Sequence, residues 1–403
     1  MYNKQAITIQ QQIDQLKLRG LHISEQDNAI HFLSHISYYR LAGYWWPMQS
    51  DKENHIFKDG SKFCDVIALY NFDRELRLLL FGVIEKIEIS LRTKLIYHLS
   101  HEINPWWFQD TSIFINTSEL IKTLTSIDEE ITRSKDTFVK EHKSKHKDDL
   151  RLPPAWKSLE LTSFGSLSKL YGNLKHTVKA KDIIAIEFGT VNHTYLPSWL
   201  QSIAQIRNYC AHHSRLWNKN LPGSPKLLSK PPFPWLKDVP KENEFMKLYV
   251  HLCCMKYLLN IVQPENDFMV CLNDLLVKYP NVDPKALGLK DNWQREPLWQ
   301  VKPAFMNEAV VKFIFFYSIS NWLITSSVVT LYSAKEINIG AEKIIAPVLQ
   351  MKTNSDLENH QLSELRDRLL PMLMNGQVTG KDTEEENFSR AAEPEVEYGK
   401  KGR

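Results

Sequence analysis

One short segment, Arg207 to His212, contains residue types that can cleave RNA without a metal ion. A histidine can take the proton of a ribose 2′-hydroxyl or give one to the leaving 5′-oxygen. An arginine can hold the scissile phosphate and stabilise the charge of the transition state. The bare spacing R-x-x-x-x-H also occurs on many helices in which both residues only make surface or interhelical hydrogen bonds. The motif therefore needs support from the rest of the chain.

Helical geometry places two of the three polar residues of this segment together. Asn208 and His212 lie one turn apart on one face, so Asn208 could orient the imidazole. Arg207 lies about 140° around the helix axis from His212. One helix cannot bring both groups onto one phosphate, and the spacing therefore predicts two copies that meet across a symmetric interface.

Two other chemistries can be considered for the same segment. His212 and His213 could be metal ligands, but adjacent residues point to different faces and no acidic residue follows at the spacing of one turn. Cys210 could be a nucleophile, although only its position recommends it. We therefore predict no metal and no cofactor.

The charge balance does not favour nucleic acid binding over the whole surface. The chain has 50 Lys and Arg against 47 Asp and Glu, a net charge of +3, so an RNA-binding surface must be a local patch. A basic run, interleaved with His142 and His146, is either a solvated face or a set of phosphate contacts. Its lysines are Lys140, Lys143, Lys145 and Lys147.

Cysteine usage and the N-terminal residues favour a cytoplasmic location. The five cysteines form no C-x-x-C pair, and the first residues do not have a basic and then apolar pattern. An uncharged stretch of 20 residues, 313–332, is long enough to span a bilayer, but serines, threonines and an asparagine interrupt it. A buried element of a soluble domain is the preferred interpretation, and no membrane contact is predicted.

Apolar spacing predicts helices over most of the first 300 residues, and hence an all-α fold. The longest is expected from about Cys64 to His101, stopped by Pro105, and another begins at Pro197 and carries the motif. The other helices are expected near 7–18, 29–37, 117–150 (a hairpin), 157–176, 180–189, 242–262 and 266–278. Ser24 is expected to begin the second helix, and the aromatic run 38–47 to end it. The proline-rich segment 218–240 is expected to be a surface loop.

The polar face of the longest predicted helix carries Glu85, Glu88 and Arg92. One carboxylate could pair with Arg207 or tune His212 from a neighbouring helix. Alternatively, Glu88 and Arg92 form an ordinary pair one turn apart, which is the interpretation we favour.

Four blocks in order, SYYRLAGYWWP at 37–47 and the segments 69–95, 152–171 and 207–218, resemble the Abi family of abortive-infection proteins (the AbiD/AbiF-like group). The resemblance extends from about Tyr2 to Trp299. The first block is expected to be a folding element in which Arg40 bridges helices.

The Abi family is similar to the HEPN ribonucleases, which are helical bundles that dimerise and cut RNA without metal. The resemblance implies catalytic roles for Arg207 and His212, with Asn208 beside them and His213 as the second-choice histidine. Arg215, just after the motif, is assigned to RNA binding together with the four lysines. A small noncoding RNA antitoxin is the implied partner besides the RNA substrate.

The last hundred residues have a different resemblance. Segments 313–344 and 358–380 are similar to the end of a specificity subunit of type I restriction-modification enzymes, shortened between the blocks. We therefore predict an N-terminal helical segment (1–62), a HEPN-like Abi domain (63–300), an appendage of mixed structure ending in a helix (301–380) and a disordered tail (381–403).

These features together predict an endoribonuclease toxin that acts as a homodimer in anti-phage defence. It would cleave RNA by attack of the 2′-hydroxyl, leaving a cyclic phosphate and a 5′-hydroxyl. The alternative is a non-catalytic defence module that binds RNA or protein through the same bundle.

Overall fold

A computed structural model describes residues 5–301, and this part of the chain is all-α, as predicted. The appendage from 302 onwards, the tail and the uncharged stretch 313–332 lie outside the described residues. The first six helices are α1 (Ile9–Leu18), α2 (Gln26–His35), α3 (Tyr38–Trp45), α4 (Phe63–Glu102), α5 (Thr117–Arg133) and α6 (Thr137–Lys145). The others are α7 (Ala155–Ser158), α8 (Phe164–Asn173), α9 (Lys179–Glu187), α10 (Leu196–Ala211), α11 (Leu248–Val262) and α12 (Phe268–Lys278).

Helix α4 is the axis around which the others pack. It has 40 residues, and the predicted bounds agree with the observed ones to one residue at each end. Its buried stripe contacts α3, α9, α10, α11 and α12. Removing such a leucine or isoleucine side chain from water stabilises the fold by about 1.5–3 kcal/mol each. Fully buried members of the stripe are Leu76, Leu80, Ile87, Leu91, Leu95 and Leu99.

The N-terminal helices follow the sequence signals with two corrections. Gly20 ends α1 with φ +93°, as expected of a residue just after a helix. Ser24 does not begin α2: the residue before its first turn is Glu25, whose side chain makes no capping hydrogen bond. The run 38–47 does not end α2 either, because Tyr38–Trp45 is a helix of its own, capped by the Ser37 hydroxyl.

Two unpredicted strands follow α3. β1 (Gln49–Asp51) and β2 (Ile56–Phe57) pair antiparallel as a short hairpin. Strands of three and two residues are too short for an alternating apolar pattern, so the sequence carried no signal for them.

The proline-rich loop 218–240 has no helix or strand, as predicted, but it is anchored in the core. Leu228, Phe233 and Trp235 are buried, and the Trp235 ring stacks on Trp199 of α10 with 5.6 Å between centroids. These anchors fix the loop against the helix that carries the motif.

None of the helices within residues 5–301 combines the length and the apolar character needed to cross a bilayer.

Candidate functional site

Arg207 lies in the last turn of α10, on the side that faces away from the core. Trp199, Ile203 and Ile206 of the same helix are fully buried, and they fix the helix between α4 and α8. The Arg207 guanidinium carbon lies 5.8 Å from the centroid of the Phe81 ring on α4. Its Nε is buried and has no hydrogen-bond partner among the described residues. An arginine held in this way retains donors for a ligand.

A cleft of about 830 Å³ lies between α5, α8 and α10, and Arg207 and Asn208 stand in its wall. Lys169 is the other cationic residue of the lining, and Glu119 is the anionic one. The remaining lining residues are neutral: Ile115, Asn116, Ser126, Ser163, Gly165, Ser166, Ser168, Gly172, Asn173, Pro197, Gln201, Ala204 and Gln205. The site is thus open, polar and only weakly charged.

The two histidines lie just beyond the end of α10. The helix ends at Ala211, but the His212 N–H still donates to the Asn208 carbonyl at 2.9 Å. The backbones of Asn208 and His212 therefore remain one helical turn apart. Both His212 and His213 are exposed, and neither lines the cleft. The structure therefore brings Arg207 and Asn208 together in the cleft and leaves the histidines outside it.

The chain reverses after α10 in a Schellman turn with His213 at its left-handed position. The N–H of Ser214 donates to the Tyr209 carbonyl at 2.8 Å and that of His213 to Cys210 at 3.1 Å. His213 has φ +54°, a conformation that usually requires glycine at this place in the motif.

The substitution His213→Gly is therefore expected to raise the free energy of unfolding by about 0.5–1 kcal/mol, because glycine adopts φ +54° without strain. Urea denaturation measures this change. RNA cleavage should persist in this variant if His212 is the reacting histidine. A loss of cleavage with raised stability would assign that role to His213 instead.

A buried carboxylate on α4 holds the chain just after this turn. Asp73 is fully buried and accepts hydrogen bonds from the Trp217 N–H (2.7 Å), the Leu216 N–H (3.2 Å) and the Tyr44 hydroxyl (2.7 Å). It also forms an ion pair with Arg77, which is itself buried. Burial raises the pKa of Asp73, while Arg77 and the hydrogen bonds lower it. The network ties α3, α4 and the turn into one unit.

Two more arginines bind carbonyl groups of the same turn. Arg40 of α3 donates to the His213 carbonyl at 2.6 Å, so it joins α3 to the turn after α10 rather than to a second helix as predicted. Arg215 donates to the carbonyls of Trp217 (3.2 Å) and Asn218 (3.4 Å), and its side chain packs against α3 at Gly43. A contact between Arg215 and RNA stays a prediction, because the guanidinium is partly engaged within the turn.

Of the two arrangements predicted for Glu85 and Glu88 of α4, the structure shows the ordinary pair of Glu88 with Arg92. Glu88 and Arg92 form a pair one turn apart at 2.8 Å, and Arg92 also donates to the carbonyls of Leu159 (2.9 Å) and Thr162 (3.1 Å). Glu85 is exposed. Neither carboxylate makes a hydrogen bond or an ion pair with Arg207 or His212, so this part of α4 braces a neighbouring segment.

The predicted basic run lies on and just after α6, away from the lining of the cleft. All four lysines (Lys140, Lys143, Lys145 and Lys147) are exposed. Lys143 donates to the Ile131 carbonyl at 3.3 Å near the end of α5. Phosphate contact by these lysines stays a prediction.

The alternative chemistries gain no support from the geometry. Burial raises the pKa of the Cys210 thiol to about 12, so the thiolate needed of a nucleophile is scarce at neutral pH. Within residues 5–301, no three His, Cys, Asp or Glu side chains are grouped so that they could hold a metal ion.

Comparison with known proteins gives one match. Residues 31–218 match the model of a family described as Abi-like protein, a little under half of the 403-residue chain. No curated protein and no solved structure matches the chain. All four blocks that suggested the resemblance fall inside the match, as do Asp73 and the turn after α10. The match supports a place in the Abi-like family for the segment that carries the candidate site.

Proposed function

We propose that the chain is a HEPN-type endoribonuclease toxin of abortive infection that cleaves RNA without a metal ion. One observation carries the proposal: Arg207, with an unpartnered Nε, lines an open cleft and precedes an exposed His212 by five residues. The Abi-like match suggests the defence role. By the resemblance, a small noncoding RNA is the proposed antitoxin.

Each polar group of the motif has a defined part in the proposed reaction. The ribose 2′-oxygen attacks phosphorus, the bond to the 5′-oxygen breaks, and a 2′,3′-cyclic phosphate and a 5′-hydroxyl result. His212 of one copy takes the proton of the 2′-hydroxyl and returns it to the leaving oxygen. Arg207 of the second copy holds the phosphate oxygens as charge develops on them, and Asn208 lies beside it in the cleft.

An exposed apolar face of α4 supports the proposed homodimer. Leu78, Phe81 and Ile89 are 63%, 41% and 51% exposed, and they follow one side of the helix. At Gly82, on the same side, an added Cβ would have no neighbour within 4 Å, which leaves room for a close approach. Phe81 is the residue under Arg207, so a second copy on this face would lie beside the motif.

The double substitution Leu78→Glu, Ile89→Glu is expected to make the protein monomeric, since it places charge in the centre of an apolar contact. Light scattering measures the molar mass, and cleavage should fall together with dimerisation. Leu18→Glu is the control, because Leu18 is 86% exposed on α1 and lies outside this face. A wild-type protein that is monomeric and still cleaves RNA would contradict the proposed dimer.

Incubation of the purified protein with single-stranded RNA and excess EDTA tests the proposed activity. Cleavage that persists in EDTA is the expected result. If RNA is bound but stays intact both with and without divalent ions, the chain is a non-catalytic RNA-binding module and the proposal is wrong.

A further inference from the structure

Three side-chain amides form a row along the cleft wall of α10. Gln201, Gln205 and Asn208 are separated by four and three residues, so they share one face of the helix, and all three line the cleft. None of the three side chains makes a hydrogen bond with another described residue. We call these three residues the amide row.

Unused hydrogen-bonding capacity in this wall points to a ligand. The Oε1 of Gln205 is buried and has no partner among the described residues, and the same holds for the Nε of Arg207 two residues further along α10. Buried polar atoms are nearly always hydrogen-bonded, so these two lining side chains have unused hydrogen-bonding capacity.

Small residues of α8 line the wall of the cleft opposite α10, which leaves room for a flat group. Gly165, Ser168 and Gly172 of α8 are small and recur at helical spacing along the cleft. At Gly172, the nearest neighbour of an added Cβ would be Pro197 at 3.9 Å, so the helices already lie close at the floor of the cleft. The volume of about 830 Å³ is within the range of sites that enclose a ligand the size of a nucleotide.

The charges of the lining suit a base with one phosphate better than a polyanion. Lys169 and Arg207 are opposed by Glu119, and the other lining residues are neutral. Asn and Gln amides present a donor beside an acceptor, which matches the hydrogen-bonding edge of a nucleobase. A guanidinium is the preferred partner of a phosphate.

We propose that the cleft receives unpaired bases of single-stranded RNA next to the phosphate held by Arg207, and that the amide row reads their edges. The inference rests on the proposed function for its ligand class. Double-stranded RNA is excluded as the ligand, because its base edges are paired and cannot enter a pocket between helices. The amide row therefore sets sequence preference, whereas Arg207 and His212 act on the phosphodiester.

Binding of 2′-O-methyl RNA decamers tests the inference apart from catalysis, because these oligonucleotides lack the attacking hydroxyl. Fluorescence anisotropy with the full chain measures the affinity for A, C, G and U decamers and for a duplex. Gln205→Met keeps the side-chain length but loses the amide, and Gln201→Ala removes the amide of an exposed residue, so the fold is expected to be kept. Gln263→Met is the matched control, since Gln263 is half-buried at the end of α11 and outside the cleft.

The wild type is expected to bind one single-stranded decamer most tightly and the duplex more weakly. Each amide-row variant should lower that preference by about fivefold or more, and Gln263→Met should leave it unchanged. Variants that keep the wild-type preference, a duplex bound as tightly as single strands, or no binding to any decamer would each overturn the inference.

The results distinguish a failure of the proposed RNA cleavage from a failure of the inference about the cleft. If the amide-row variants lose the preference but the wild type leaves unmodified RNA intact, the cleft reads RNA and the proposed cleavage is wrong. If the wild type cleaves RNA and the amide-row variants keep its sequence preference, the ribonuclease proposal stands and the inference about the cleft is wrong.

Discussion

The substitutions Arg207→Ala and His212→Ala are each expected to lower RNA cleavage by about 10²–10⁴-fold. Removing the guanidinium leaves the charge of the transition state unbalanced, and removing the imidazole leaves no group to move the proton. The readout is the initial rate of cleavage of a single-stranded RNA under excess enzyme. Growth arrest on expression should be lost in parallel.

Two further variants show whether the lost RNA cleavage is due to the missing guanidinium and imidazole groups. Arg207→Lys keeps the charge but cannot make the bidentate contact, so an intermediate rate is expected. His35→Ala changes an exposed histidine in the last turn of α2 that lies outside the cleft, and it should cleave RNA like the wild type. Full cleavage and toxicity in His212→Ala would sink the catalytic role of this residue, because its imidazole is then dispensable.

Asp73→Ala is expected to lower the free energy of unfolding by about 3–5 kcal/mol. The variant leaves Arg77, which is 5% exposed, as an uncompensated buried charge and releases the N–H groups of Leu216 and Trp217. Tyr44→Phe removes one hydrogen bond from the same carboxylate and should cost about 1 kcal/mol. Urea denaturation of the purified variants measures both changes.

A second substitution separates the buried charge from the lost hydrogen bonds. Arg77→Met removes the orphaned charge, so the double variant Asp73→Ala, Arg77→Met should recover part of the lost stability. Equal stability of Asp73→Ala and the wild type would mean that the network does not hold the turn. Asp73→Ala should also cleave RNA more slowly, because the turn that Asp73 holds begins at His212.

The regular helices could be predicted from local sequence patterns. The hydrogen-bond network that holds the turn after α10 could not. Helix α4 was predicted almost to the residue because its apolar positions recur over 40 residues. The helix Tyr38–Trp45 was missed, because it is only eight residues long and only two residues separate it from α2. The hydrogen bond from Trp217 to Asp73 joins residues 144 positions apart, and no local pattern reports such a contact.

The motif itself illustrates the same division. Its spacing showed that one helix cannot bring Arg207 and His212 onto the same phosphate. Of these two residues, only Arg207 lines the cleft. The amide row was visible in the sequence as Gln201, Gln205 and Asn208 at helical spacing. What was missing was the knowledge that this face of α10 borders α5 and α8, which depends on tertiary packing.

The chemistry of the RNA ends tests the central claim most directly. After expression of the wild type and of Arg207→Ala, RNA ends are sequenced with ligation steps that distinguish a 2′,3′-cyclic phosphate from a 3′-hydroxyl and a 5′-hydroxyl from a 5′-phosphate. We predict new cyclic-phosphate and 5′-hydroxyl ends in the wild type that are absent from Arg207→Ala. No new ends in the wild type, or the same ends in both, would contradict cleavage by this motif.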